Sequence, residues 1–301
     1  MKLRKFLILG LLFIVACNVE TDENGVIPSY SSILEFFTFE PNTTFITRTV
    51  PDAMFELEEE IFTTFVSENR FQQRIRSIGG LENTAVLEYS DGVLRQVFSE
   101  LYFYTHEDAT NSEPNTEFVI LVEPLSLGTV WQTADGITAE ITAIDREIET
   151  PFATFTETIE VTTSFPNGDY SVTIFAKGYG RVWDSYTISD DDTITSLTTH
   201  LVNVIQGPMQ SEIVIFEGEN PVDIIEILVE TNQNFEELLS EILNVNINQI
   251  EVTRGEEIAT VHVDFAEEPT SMSIESLSNI FSRFYMAEFF LSTINGMPHV
   301  E

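Results

Sequence analysis

Four histidines, one cysteine and 50 acidic side chains are the chain's supply of reactive groups. The histidines, His106, His200, His262 and His299, are scattered along the sequence. No His-x-x-x-His pair and no cysteine cluster occurs, so the ligand spacing of a zinc site is absent. There is no Gly-x-Ser-x-Gly elbow for a serine nucleophile and no Gly-x-x-x-x-Gly-Lys loop for phosphate. A glycosidase needs two carboxylates flanking the scissile bond, but with 50 acids available every such pair is uninformative. Asp190-Asp191-Asp192 and Glu107-Asp108 offer the oxygens that calcium prefers. Neither follows the Asp-x-Asp/Asn-x-Asp/Asn-Gly spacing, and solvated turns account for both. Trp131 and Trp183 fall in β segments, where a tryptophan lines a sugar or peptide cleft or, more commonly, fills a core. The expectation is a non-catalytic protein with no metal, no cofactor and an unassigned ligand site.

The cysteine has a different chemistry in prospect. Lys2, Arg4 and Lys5 precede an apolar run from Phe6 to Val15, and Ile14-Val15-Ala16-Cys17 closes it. Basic residues, an apolar stretch and a small residue at the cut describe a secretory signal. The run is too short for a membrane-spanning helix, which needs about 20 residues. Its end resembles the bacterial lipobox, with Ile14, Val15 and Ala16 before the cleavage and Cys17 acylated as the first mature residue. That resemblance implies a lipid anchor on the extracytoplasmic face of a membrane. It also leaves no thiol for catalysis or for a disulfide. A single acyl chain holds a protein only marginally; the diacylglycerol that the resemblance implies holds it firmly. Residues 17–29 are polar and acidic and read as a flexible tether.

Charge narrows the partners. The chain has 13 Lys+Arg against 50 Asp+Glu, a net charge of -37, and loss of the signal removes three of the cations. Such a surface repels nucleic acid. Two readings fit the acidity: adaptation of an exported protein to a salty or alkaline habitat, and recognition of basic partners or divalent cations. Hydrophobic residues make up 43% of the chain and include 24 phenylalanines, enough for a sizeable apolar core.

The elements that must position any site are mostly strands. From Ser29 to about Leu201, runs of four to eight residues rich in Thr, Val, Ile, Phe and Tyr alternate with turn residues. Thr43 to Val50 predicts one strand, Met54 to Val66 two short strands or a tight pair, and Phe71 to Ile78 another. Asp91-Gly92, Ala134-Asp135-Gly136 and Pro166-Asn167-Gly168-Asp169 each sit between alternating runs and predict hairpins. Leu101 to Thr105, Phe118 to Val122, Arg181 to Ile188 and Thr193 to Asn203 complete the series. Hairpins at this spacing predict an antiparallel sheet curled into an open or closed barrel over residues 30–206.

Glu123-Pro124-Leu125-Ser126-Leu127-Gly128-Thr129-Val130-Trp131 and Phe175-Ala176-Lys177-Gly178-Tyr179-Gly180 in this body resemble stretches of β-rich surface lipoproteins of Gram-positive bacteria. The resemblance spans roughly residues 30–202 and implies a fold type without an activity.

Gly207-Pro208 marks a boundary, and residues 208–301 change pattern. Glu212 to Glu217 and Ile224 to Val229 read as strands. Phe235, Leu238, Leu239 and Ile242 share a helical face after Asn234, a suitable N-cap. Ile247 to Thr253 and Ile258 to Phe265 read as a hairpin around Arg254-Gly255-Glu256-Glu257. Ile274 to Phe290 reads as a second helix and Phe289 to Ile294 as a last strand. The expected order is β-β-α-β-β-α-β, so the fold class is α+β: a β-rich body, then a small α+β domain.

Val229-Glu230-Thr231-Asn232, Asn246-Ile247-Asn248-Gln249-Ile250, Val261-His262-Val263-Asp264-Phe265 and Thr293-Ile294-Asn295-Gly296 carry a resemblance to the GerM-type domain of sporulation, germination and other Gram-positive envelope lipoproteins. Ala266 stands where that family often has serine. The resemblance implies a non-catalytic envelope module that engages peptidoglycan glycan or an envelope protein. A binding or scaffolding role follows from it, with a carrier of an apolar ligand inside the β body as the alternative.

Overall fold

The computed structural model describes residues 29–298 apart from 38, 52–56, 78–81, 102–107, 191–192, 218–219, 233–236, 238–239, 242–243, 255–258, 268–287 and 295–296. The signal, the Ile14-Val15-Ala16-Cys17 lipobox and the tether up to residue 28 lie outside the described residues, as do His106 and His299.

Twenty-two strands are described. In chain order they are β1 (Ser29–Tyr30), β2 (Thr43–Pro51), β3 (Leu57–Val66), β4 (Arg70–Ser77), β5 (Glu82–Ser90), β6 (Val93–Leu101), β7 (Phe118–Val122), β8 (Leu125–Ser126), β9 (Val130–Ala134), β10 (Ile137–Ile144), β11 (Ile148–Glu149), β12 (Thr154–Phe155), β13 (Thr158–Ser164), β14 (Tyr170–Ala176), β15 (Gly180–Asp190), β16 (Thr193–Gln206), β17 (Met209–Glu217), β18 (Asn220–Val229), β19 (Ile247–Arg254), β20 (Ala259–Phe265), β21 (Glu288–Ile294) and β22 (Met297–Pro298). Of the stretch from Met54 to Val66, expected as two short strands or a tight pair, the described part, Leu57–Val66, is the single strand β3.

Twelve strands form one sheet in the order β7-β6-β5-β4-β3-β2-β16-β15-β14-β13-β10-β9. The chain meanders outward from β2 to β7, crosses to β9, and meanders back until β16 pairs with β2. All of these pairings are antiparallel. The two edge strands, β7 and β9, lie against each other. The sheet is thus an up-and-down barrel closed except for one ladder. At that seam the Trp131 indole N–H donates to the carbonyl of Val119 at 3.2 Å, so a side chain bridges where the backbone does not.

Sequence chemistry explains the register. Asp91 (φ 53°) and Gly92 (φ 72°) both take positive φ at the β5–β6 turn, as a two-residue turn matched to strand twist requires. Along β9 and β10 buried Trp131, Thr133, Ala139 and Ile141 alternate with exposed Val130, Gln132, Thr138 and Glu140, a period of two. Cross-strand ion pairs fix the other half. Arg48 faces Glu58 across β2–β3, Arg76 faces Glu60 across β3–β4, and Arg70 faces Glu88 across β4–β5, each directly opposite in register and ion-paired.

The main core gathers Leu87, Leu94, Leu121, Leu125, Ile141, Ile159 and Phe175 around Ile33 and Phe36. Ile33 opens a 3-10 turn, Ile33–Glu35, and Phe36 is its C-cap; the turn precedes β2 and carries a capping box built by Ser32 and Glu35. Both are fully buried, and burial of each side chain is worth ~1.5–3 kcal/mol. The segment around Ile33 and Phe36 therefore plugs the barrel. A second apolar cluster, Phe155, Ile174, Ala176, Val182 and Leu201, forms where the short β11–β12 hairpin packs on the sheet.

The C-terminal segment contributes the β17–β18 hairpin and a four-stranded sheet in the order β19-β20-β21-β22. Glu237, Ser240 and Glu241 have helical backbone within the first expected helix. The second expected helix, Ile274 to Phe290, lies outside the described residues up to 287, and its last three residues, Glu288 to Phe290, are strand. β20 and β21 pair in parallel, which demands a crossover of a dozen residues or more. The described residues are overwhelmingly strand, so the β-rich part of the fold class stands as a finding.

Candidate functional site: a cavity inside the barrel

The barrel encloses a cavity of ≈ 360 Å³, partly open to solvent. This is in the range of small-molecule sites, which run about 300–1,000 Å³. Its walls come from ten strands, β2 through β7 on one side and β9, β13, β14 and β15 on the other, together with Phe37 of the plug segment. Phe37, Phe45, Ile61, Ile75, Leu87 and Phe175 supply much of the apolar wall. Neutral polar groups interrupt it: Gln73 and Gln96 on one side, Thr133, Thr163 and Ser171 on the other.

Sheet geometry explains why these residues meet. Inward positions recur every second residue along each strand, as in Val161, Thr163 and Phe165 from β13 onward and Ser171, Thr173 and Phe175 in β14. Small Ala85 leaves room where a larger residue would fill the lumen. Phe37 packs on Phe175 with ring centroids 5.4 Å apart, and Phe39 stacks on Phe71.

Two charged groups line the cavity, Arg181 and Asp184 of β15. They are three residues apart, which strict alternation would place on opposite faces. The ladder with β14 shifts register here: Ile174 pairs with Trp183 and Phe175 with Arg181, leaving Val182 as an extra, bulged residue. The bulge brings both side chains to the lumen. Asp184 accepts a 2.6 Å hydrogen bond from the Thr173 hydroxyl. Arg181 is exposed, and so are Phe118 and Tyr179, which sets these three at the rim. One further wall residue, Thr47, is 2% exposed, and its hydroxyl has no hydrogen-bond partner.

A charged cluster locks the plug. The backbone N–H of Ile33 donates to Glu123 at 2.7 Å, and the Tyr89 hydroxyl donates to the same carboxylate oxygen at 3.1 Å. Lys177, the one lysine beyond the N-terminal five residues, bridges Glu35 at 3.2 Å and Glu157 at 3.3 Å. Hydrogen bonds to these two carboxylates raise its pKa. Glu35 is held below the usual carboxylate range by the Ser31 hydroxyl and by Lys177. The Tyr30 hydroxyl donates to Asp145; burial first, then that hydrogen bond and its charge, push the phenol above its ordinary range. Backbone bonds from Gly178 to the carbonyl of Glu35 (2.8 Å) and from Gly180 to that of Phe36 (2.7 Å) complete the lock.

The residues singled out by their chemistry in the sequence scatter. Trp131 is buried in the core at the seam. Trp183 stands edge-on to His200 with centroids 6.5 Å apart, and burial lowers the pKa of that histidine. Asp108 accepts from the backbone and hydroxyl of Thr110, closing a turn. Asp191, Asp192 and Glu107 lie outside the described residues, as does the side chain of His262. Among the described residues no three His, Cys, Asp or Glu side chains gather as a ligand set, and no helix is long and apolar enough to cross a membrane. The lumen residues went unmarked in the sequence, where single Thr, Gln and Arg residues in strands look like any solvated face.

Fold and site together define a plugged up-and-down β-barrel around a small mixed apolar and polar cavity. No family model matches the chain, and no curated protein matches it. Two solved structures align with part of it. One is a protein assigned as exported, with a YmcC-like fold, from Bacteroides fragilis NCTC 9343; it is 11% identical over 57% of this chain and 99% of its own, with a TM-score of 0.36. The other is a protein assigned as a lipoprotein from Parabacteroides distasonis ATCC 8503, 10% identical over 56% of this chain and 98% of its own, with a TM-score of 0.32. At these scores neither likeness bears on function.

Proposed function

We propose that the chain is a non-catalytic, extracytoplasmic protein, anchored to a membrane through acylated Cys17, whose barrel carries an apolar small molecule in its lumen. The observation that supports carriage is the cavity of ≈ 360 Å³. A barrel of about eight strands is just narrow enough for side chains to fill, and diameter grows with strand number; this one has twelve. Here Ala85, Thr47, Thr133, Thr163, Ser171 and Thr173 keep the wall short of closing. The anchor reading is supported by the basic, apolar and small-residue order that ends at Cys17. The two parts belong together: a lipid-anchored carrier works where apolar molecules leave or enter a bilayer.

The test is titration of the purified chain, free of detergent, with the neutral fluorophore phenylnaphthylamine. Saturable enhancement at one equivalent per chain is expected, and Ala85→Trp, which fills the lumen, abolishes it while leaving the β-sheet circular dichroism intact. Thr163→Phe serves as the second lumen-filling variant. Enhancement that is absent in the native chain, or that survives in both filled variants, contradicts carriage.

A further inference from the structure

We infer that the lumen takes a single-chain amphiphile with an anionic headgroup, with Arg181 at the rim and Thr47 in the wall receiving the head. This rests on the carrier reading above and adds the ligand's charge.

Arg181 is the one basic residue in the cavity wall. Arg48, Arg70, Arg76, Arg146 and Lys177 pair with glutamates; Arg95, whose buried Nε has no partner, lies outside the cavity wall. The Arg181 guanidinium has no ion pair and no hydrogen bond among the described residues, although the chain carries 50 acids that could quench it. Asp184, the acid nearest in sequence on the same wall, is engaged by the Thr173 hydroxyl instead. Among the described residues the wall thus holds a guanidinium without a partner beside a carboxylate that already accepts from Thr173. It matches a ligand whose tail is apolar and whose head is a planar or tetrahedral oxyanion, the geometry that a guanidinium fork satisfies.

Thr47 supplies the independent observation. Its side chain is buried, it lines the same cavity, and its hydroxyl is unsatisfied. A buried polar group without a partner is uncommon in a folded protein. Thr47 pairs in register with Leu201 of β16, and the neighbouring His200 pairs with Trp183 of β15. The threonine and the arginine therefore stand at adjacent levels of the barrel wall, separated by β16. A headgroup oxygen accepting from both would satisfy the orphan hydroxyl and the free cation together. The tail then lies against Phe37, Phe45, Ile61, Ile75 and Phe175.

The experiment compares decanoate, decanol and decylamine, which share one tail and differ in the head, by calorimetric titration of the detergent-free chain at neutral pH, in native protein and in Arg181→Gln. With Arg181 at the solvated rim, decanoate is expected to bind about tenfold tighter than decanol, and Arg181→Gln to erase that preference while decanol affinity stays the same. Thr47→Val is expected to weaken decanoate alone. Equal affinity for decanoate and decanol, a preference for decylamine, or a carboxylate preference that survives Arg181→Gln overturns the headgroup assignment and leaves lumen carriage standing. Failure of all three to bind removes carriage itself.

Discussion

Asn42 and Thr231, 189 positions apart, hold each other by two reciprocal hydrogen bonds: the Asn42 N–H donates to the Thr231 hydroxyl and the Thr231 N–H donates to the Asn42 side-chain oxygen, both at 2.9 Å. The Asn42 carbonyl accepts a third bond, from Gly207 at 2.8 Å. The Thr231 hydroxyl in turn donates to the carbonyl of Thr63 at 2.8 Å. Gly207 and Thr231 flank the β17–β18 hairpin, so one asparagine in the left-handed region (φ 53°) ties both ends of it to the barrel. Thr231→Val removes the hydroxyl and leaves a donor and an acceptor unpaired. A loss of about 1–2 kcal/mol in unfolding free energy is expected, read from the urea midpoint. Proteolysis between 207 and 231 should speed up in the variant; unchanged midpoint and cleavage would show the junction to be inconsequential.

The β5–β6 turn gives a second expectation. At Gly92 (φ +72°) an added Cβ would lie 3.1 Å from a carboxylate oxygen of Glu123 and 3.3 Å from its Cβ. That carboxylate holds Ile33 of the plug. At Gly168 (φ +92°) an added Cβ meets nothing within 4 Å. Both Gly→Ala changes carry the left-handed backbone cost of ~1–2 kcal/mol, but Gly92→Ala is expected to cost more and to loosen the plug. Thermal melts of the two variants decide this, and equal losses would mean that Glu123 yields freely.

Trp131 is expected to matter at the seam for its N–H as well as its bulk. Trp131→Phe keeps an aromatic ring in the core but leaves the Val119 carbonyl without its indole donor. A destabilisation of about 1 kcal/mol or more is expected, with faster hydrogen exchange at β7 and β9. Exchange unchanged at those strands would count against a bridged seam.

Asp169 sets an acid-side dependence. It is 6% exposed and accepts from the Ser189 N–H, the Tyr186 hydroxyl and the Asn167 amide, which together hold its carboxyl below the usual range, the Ser189 bond most of all. A depressed folded pKa means that the unfolded chain binds the proton first. The stabilisation is complete above the ordinary aspartate value of about 3.9 and is lost as pH falls through the lower folded value. Asp169→Asn should flatten the stability profile in that window and leave its slope above pH ~5 unchanged, as followed by urea unfolding across pH.

These relationships were unequally legible in the sequence. Turns and alternation announced the hairpins: Asp91-Gly92 and the run from Ile137 to Ile144 each carry their structure in local chemistry. The plug did not announce itself. Ile33, Phe36 and Phe37 form an apolar patch with no period, and their burial depends on a barrel that closes only when β16 reaches β2. Met54 to Val66 looked like two strands because acids and apolar residues mix there; the pairing of Glu58 and Glu60 with Arg48 and Arg76 makes its described part, from Leu57, one strand. Arg181 was hidden for a geometric reason. Alternation alone cannot place it and Asp184 on one face, and the bulge at Val182 is a property of the β14–β15 ladder rather than of any residue in it.

The proposal that the lumen is a ligand site can be put to a direct test. Native mass spectrometry of the chain extracted from its own cells in a detergent-free polymer, followed by denaturing extraction, tests it most directly. One small molecule per chain is expected, apolar in its tail and acidic in its head, released on unfolding and missing from Ala85→Trp. A native chain that carries nothing and takes up none of the offered amphiphiles would contradict it.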